Sequence, residues 1–171
     1  LSGAAVNVRL LYSSTDGIDG TTPIRVSGSL FLPQGIAPDG GWPLIAWAHG
    51  TVGIADNCAP SWTGYKRFHQ VYLKQWLDQG YAIVASDYQG LGTAGTHPYL
   101  ATKPVSYSNL DLIRAVQSGR FPVSNKVVLL GQSQGAAAAF ATACYASAYA
   151  PEQNIEGVGA RGIPMCTPRA C

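Results

Sequence analysis

Residues 127–140 read Val127-Val128-Leu129-Leu130-Gly131-Gln132-Ser133-Gln134-Gly135-Ala136-Ala137-Ala138-Ala139-Phe140. An apolar run enters a turn bounded by glycines, and a small-residue helix leaves it. The turn is G-x-S-x-G, the pattern of a nucleophilic serine on a sharp strand-to-helix bend. Gly131 and Gly135 remove side chains where the two backbones must approach closely. The helix start behind Ser133 offers unpaired N–H groups and the positive end of a dipole, both suited to a developing oxyanion. The alanines after Gly135 let that helix pack tightly beneath the turn.

A second signal is His49-Gly50-Thr51, directly after the apolar run Pro43-Leu44-Ile45-Ala46-Trp47-Ala48. A loop in this position donates a backbone N–H to an oxyanion hole, alongside the N–H of the residue after the serine. The expected hole is therefore Gly50, Thr51 and Gln134, with the Thr51 hydroxyl as an added donor. His49 itself is expected to be a structural histidine bonded to backbone.

Outward from these motifs the pattern is α/β. Residues 5–13 and 22–33 are strand-like and antiparallel, and Ile24, Val26, Gly28, Leu30 and Leu32 share one face by period two. The runs at 43–48, 81–86 and 126–130 are continuously apolar, as in parallel strands covered on both faces. Helices are expected over 65–79, 108–118 and 134–148, and a last strand over 155–160. In the first helix Phe68, Val71, Tyr72 and Gln75 fall on one side, with Leu73, Trp76 and Leu77 beside it. Strand–helix alternation implies right-handed crossovers and a mostly parallel sheet. Residues 1–160 are expected to form one domain, and 161–171 an irregular cysteine-containing tail.

Composition removes other classes. The chain has 171 residues, 12% charged, with a net charge of +2. Its basic residues are scattered, so there is no footprint for nucleic acid. No apolar run reaches membrane-spanning length, and stable membrane insertion is not expected. Residues 1–3 lack the basic start and apolar core of a signal peptide. The four cysteines, Cys58, Cys144, Cys166 and Cys171, have no zinc spacing. Their even number and the low charge suit an exported protein with one or two disulfides.

The segments at 49–61, 81–100, 131–143 and 149–160 together resemble the secretory-lipase branch of the α/β-hydrolase superfamily. The resemblance runs over residues 20–160. It implies a secreted, cofactor-free esterase or lipase acting on small acyl esters, with Ser133 as nucleophile and Gly50, Thr51 and Gln134 as oxyanion hole. In that family the chain continues into a lid and further strands carrying the acid and the histidine, in the order serine, acid, histidine. Here no Asp or His follows Ser133, only Glu152 and Glu156. The expectation is an α/β-hydrolase fold, C-terminally truncated, with a mostly parallel sheet and antiparallel N-terminal strands.

Only His49, His69 and His97 are available as a base. His69 is expected to be a surface or packing residue far from the strand ends. His97 lies in the glycine-rich loop 90–98 that follows Asp87, and strand carboxyl ends are where sites form in open α/β sheets. His97 is thus the candidate base, with Asp87 or Asp56 to orient it, and His49 is the other histidine that could be recruited. The alternatives are a catalytically impaired hydrolase-fold binding protein, or a half-enzyme needing a second chain. Serine and oxyanion hole alone retain roughly 10³–10⁴-fold catalysis over water in triad knockouts. The last strand is expected at an exposed sheet edge, which invites a homodimer, and the open serine favours short or activated acyl esters.

Overall fold

The computed structural model describes residues 1–164. The expected tail and two of its cysteines, Cys166 and Cys171, fall outside those residues except for 161–164. A six-stranded sheet runs β1-β2-β4-β3-β5-β6, formed by Val6–Thr15, Pro23–Leu32, Ala82–Ser86, Trp42–Ala48, Val123–Gln132 and Asn154–Arg161. β1 and β2 pair antiparallel, as does β2 with β4, and all other pairings are parallel. This is the α/β-hydrolase fold with antiparallel N-terminal strands.

Helices cover the sheet unequally. Helix α3 (Thr102–Gln117) and helix α4 (Gln134–Tyr149) pack together on one face. Val26, Leu30, Leu32, Leu44, Val84, Leu112, Ile113, Val116, Val127 and Leu129 form the main core there. The period-two face read from β2 and the inward stripe of α3 both belong to it. The other face carries helix α2 (Arg67–Asp78), preceded by the short helix α1 (Pro60–Thr63). Leu73, Leu77 and Trp76 of α2 pack on Phe31, Ile45, Trp47 and Ile83. The parallel stripe of Phe68, Val71 and Tyr72 stays largely exposed.

Two boundaries differ from the sequence reading for identifiable reasons. Helix α3 begins at Thr102 rather than near 108, because Pro104 falls in its first turn, where a missing N–H costs nothing. β5 extends from 123 to 132, beyond its apolar middle, because Trp42 reaches Val123 at one end and Arg161 pairs with Gln132 at the other.

The registers bring three strand ends to one place. Ala48 lies beside Gly131, and Gly131 beside Ala160. The segments following β3, β5 and β6 therefore leave the sheet side by side at its carboxyl edge.

Candidate active site

Ser133 sits between β5 and α4 with φ of 58° and ψ of −123°. A non-glycine residue in this region stores on the order of 1–3 kcal/mol of strain, which packing must hold in place. The packing is specific: a Cβ on Gly131 would overlap the Gly135 carbonyl, and one on Gly135 would overlap the Ala48 carbonyl. The Ser133 N–H donates to Arg161 O at 2.9 Å, so the β5–β6 ladder continues into the bend. Although Ser133 occupies the N-cap position, its hydroxyl caps nothing. Among the described residues its Oγ has no hydrogen-bond partner.

The loop after β3 closes against this bend. A Cβ added to Gly50 would lie 3.4 Å from Ser133 Cβ and 2.8 Å from Gln132 Oε1, so only glycine lets the loop come this near. The N–H of Gln134, first in α4, has no intrahelical acceptor by position. Gly50, Thr51 and Gln134 are thus gathered around Ser133, the arrangement an oxyanion hole requires.

The Thr51 hydroxyl is engaged elsewhere. It lies 2.9 Å from Tyr99 Oη and donates to Gln134 Oε1 at 3.4 Å. The Gln134 amide in turn donates to His97 Nε2 at 3.3 Å, while His97 Nδ1–H donates to Gln89 O at 2.9 Å. His97 is buried, and its Nε2 lone pair faces Gln134 rather than Ser133.

Asp87 is not the partner of His97. Its buried carboxylate accepts from Ser27 Oγ at 2.6 Å, from the Ser61 N–H at 2.8 Å and from Ser61 Oγ. It ties α1 to the sheet instead of orienting an imidazole. Those partners are remote in sequence, Ser27 and Ser61 lying 60 and 26 residues away in the chain.

His49 is buried and stacked on Tyr88 with ring centroids 4.2 Å apart. Its Nδ1 faces Gly50 O at 2.7 Å and its Nε2 faces Asp87 O at 3.3 Å. Burial lowers its pKa from the ordinary value, against the pull of those carbonyls and the Asp87 charge. The structural role expected for His49 matches these contacts.

A cleft of about 550 Å³ opens beside the bend, within the size range of small-molecule sites. It is lined by His49, Gly50 and Thr51 of the loop after β3, by Gln132 of β5, and by Tyr65, Phe68 and His69. His69 is therefore near the strand ends, contrary to the sequence expectation. The segment from Pro60 to α2 folds back over the sheet, and the His69 ring packs on Trp47 at 5.3 Å. Burial lowers its pKa as well. The only sequence hint of this wall was Pro60, a helix starter. Cys58, also on the cleft, is a free thiol, as is Cys144 on the surface, so no disulfide joins these two. Among the described residues no helix is long and apolar enough to cross a membrane, and no three metal-ligating side chains gather.

Fold and bend together define an α/β-hydrolase fold with a G-x-S-x-G strand-to-helix bend at Ser133. Residues 60–166 match the secretory lipase family, and the chain belongs to it. Lipase A of Moesziomyces aphidis is 35% identical over 121 residues, covering 64% of this chain and 25% of that protein. The structure of Candida antarctica lipase A superposes with a TM-score of 0.77 at 26% identity, over 92% of this chain and 38% of that one. The ligand-bound rice cell wall degrading esterase LipA from Xanthomonas oryzae gives a TM-score of 0.67 at 26% identity, over 90% and 40% of the two chains. The chain thus spans less than half the length of these relatives.

Proposed function

We propose that this chain carries the nucleophile and oxyanion hole of a secreted carboxylic ester hydrolase acting on short or activated acyl esters. Ser133 Oγ attacks the acyl carbon and its proton passes to solvent water as the C–O bond forms, solvent later returning a proton to the departing alkoxide. The former carbonyl oxygen takes up the negative charge and accepts from the Gln134 N–H and the backbone of the Gly50–Thr51 loop. Collapse of this intermediate expels the alcohol and leaves an acyl-serine, which water hydrolyses in the second half-reaction. The observation that carries the reading is the strained Ser133, its hydroxyl unbonded, packed beside the Gly50 loop.

The cleft lined by Phe68, Tyr65 and His69 suits a short acyl or alcohol group. The base is not assigned to His97 or His49, because both rings are hydrogen-bonded away from Ser133 Oγ. The outer edge of β6, unpaired among the described residues, suits addition of another strand, a second copy of this chain included. Light scattering would find a dimer if the edge is used that way, and a monomer would reject it. Hydrolysis of p-nitrophenyl butyrate by the wild type and by Ser133→Ala tests the central claim. Turnover that is equal in the two would sink it.

A further inference from the structure

The Gln134 side chain is an unusual feature of the elbow. It follows the nucleophile directly, yet it is 4% exposed and makes hydrogen bonds at both ends of its amide. The directions of these bonds are fixed by elimination. Gln89 O can only accept, so the 2.9 Å contact makes His97 Nδ1 the protonated nitrogen. His97 Nε2 then accepts, which orients the Gln134 amide nitrogen toward it. The amide oxygen faces Thr51, whose hydroxyl donates to it, leaving Tyr99 to donate to Thr51. One unbroken chain of donors runs from Tyr99 through Thr51 and Gln134 to His97 and the Gln89 carbonyl.

We propose that this chain positions the oxyanion hole, with His97 and Gln134 as positioning residues. The inference rests on the ester-hydrolase reading and adds to it. The hole has two walls, the N–H of Gln134 on α4 and the Gly50–Thr51 loop after β3. No backbone ladder joins the elbow to that loop beyond Ala48 and Gly131. The Gln134 amide bridges them, since one residue supplies both the oxyanion N–H and the side chain that holds Thr51. His97 holds that amide from behind, and the Gln89 carbonyl fixes the ring. Donors aimed in advance at the developing charge avoid reorganisation during the reaction, and small misplacements of reacting groups are costly.

The same geometry separates this role from general-base catalysis. A glutamine at position 97 has an oxygen to accept from Gln134 and an N–H₂ to donate to Gln89 O, but it cannot take a proton from Ser133. The test is the rate at which a p-nitrophenyl phosphonate labels Ser133, because the bound phosphonyl oxygen occupies the oxyanion hole. His97→Ala and Gln134→Ala should each slow labelling roughly 10-fold, and the double variant should be no slower than either single one. His97→Gln should restore the rate to within about threefold of wild type. In ¹⁵N–¹H spectra, the Gln134 backbone N–H should shift in His97→Ala and return in His97→Gln. Wild-type labelling in His97→Ala overturns the relay. Equal loss in His97→Gln and His97→Ala overturns it in favour of a base. If His97→Ala fails to fold, Gln134→Ala and His97→Gln decide the matter alone. A wild type that Ser133→Ala shows to be unlabelled at the serine sinks the hydrolase reading and this role with it.

Discussion

The bend after β5 and the loop after β4 leave the same edge of the sheet, and they use polar side chains in opposite ways. At the bend, Ser133 is held in a strained conformation and its hydroxyl is bonded to nothing among the described residues. In the loop, the ionisable and amide side chains facing the sheet are engaged: Asp87 by Ser27 and Ser61, His97 by Gln89 and Gln134, Gln89 Oε1 by the Gly17 N–H. Reactivity needs a group with unspent hydrogen-bonding capacity, whereas rigidity needs the capacity spent. The loop provides the rigid background against which the serine is displayed.

The contrast is broken most completely at the serine. Ser133→Ala should abolish phosphonate labelling while leaving the thermal midpoint within a few degrees of wild type, readable by mass spectrometry and circular dichroism. Gly135→Val should be nearly as damaging by a different route. Its side chain would meet the Ala48 backbone, which cannot move without dragging β3, and a loss of about 3 kcal/mol or more is expected. Urea denaturation measures it, and a stability equal to wild type would refute the close packing.

Asp87→Ala tests the other side of the comparison. It removes a fully buried carboxylate that accepts from three donors, leaving the Ser61 N–H unpaired and the Ser27 and Ser61 hydroxyls without their main acceptor. A loss of about 2–4 kcal/mol is expected. If Asp87 were instead the orienter of a catalytic imidazole, labelling would collapse with stability untouched.

Acidification sharpens the comparison further. His49 and His69 both have folded-state pKa values lowered by burial. The unfolded chain therefore takes up protons first as pH falls, and stability present above about 6.5 declines below it until the folded-state values are passed. Urea midpoints at pH 7.5 and 5.5 measure the slope, and His49→Gln should flatten part of it. A midpoint rising on acidification would contradict buried neutral rings. The smallest effect is expected at the cleft wall. Phe68 is 60% exposed, so Phe68→Ser should change stability by less than about 0.5 kcal/mol. It should raise KM for a butyrate ester a few-fold with kcat unchanged.

Sequence legibility followed the distance over which each feature is encoded. The elbow was readable because strand, turn and helix are contiguous and each obeys its own periodicity or steric rule. The loop that packs beside the bend was readable because an apolar run ends in His49-Gly50-Thr51. The strand set was readable for the same reason, with the largest error at the ends of β5, where Trp42 and Arg161 act as partners. The partners of Asp87 and His97 were not legible because their carboxylate and imidazole are chemically versatile, and nothing local says what will bond to them.

By itself, then, the sequence determined the α/β architecture and the strand-to-helix bend at Ser133, because hydrophobic period and glycine sterics act over a few neighbouring residues. Tertiary structure alone decided which polar groups are spent. Ser27, Ser61 and Gln134 reach Asp87 and His97 only once strands far apart in the chain are adjacent, and His69 reaches the cleft only once α2 lies over β3. A hydrogen bond requires two partners within about 3 Å, and only the folded chain determines which two those are.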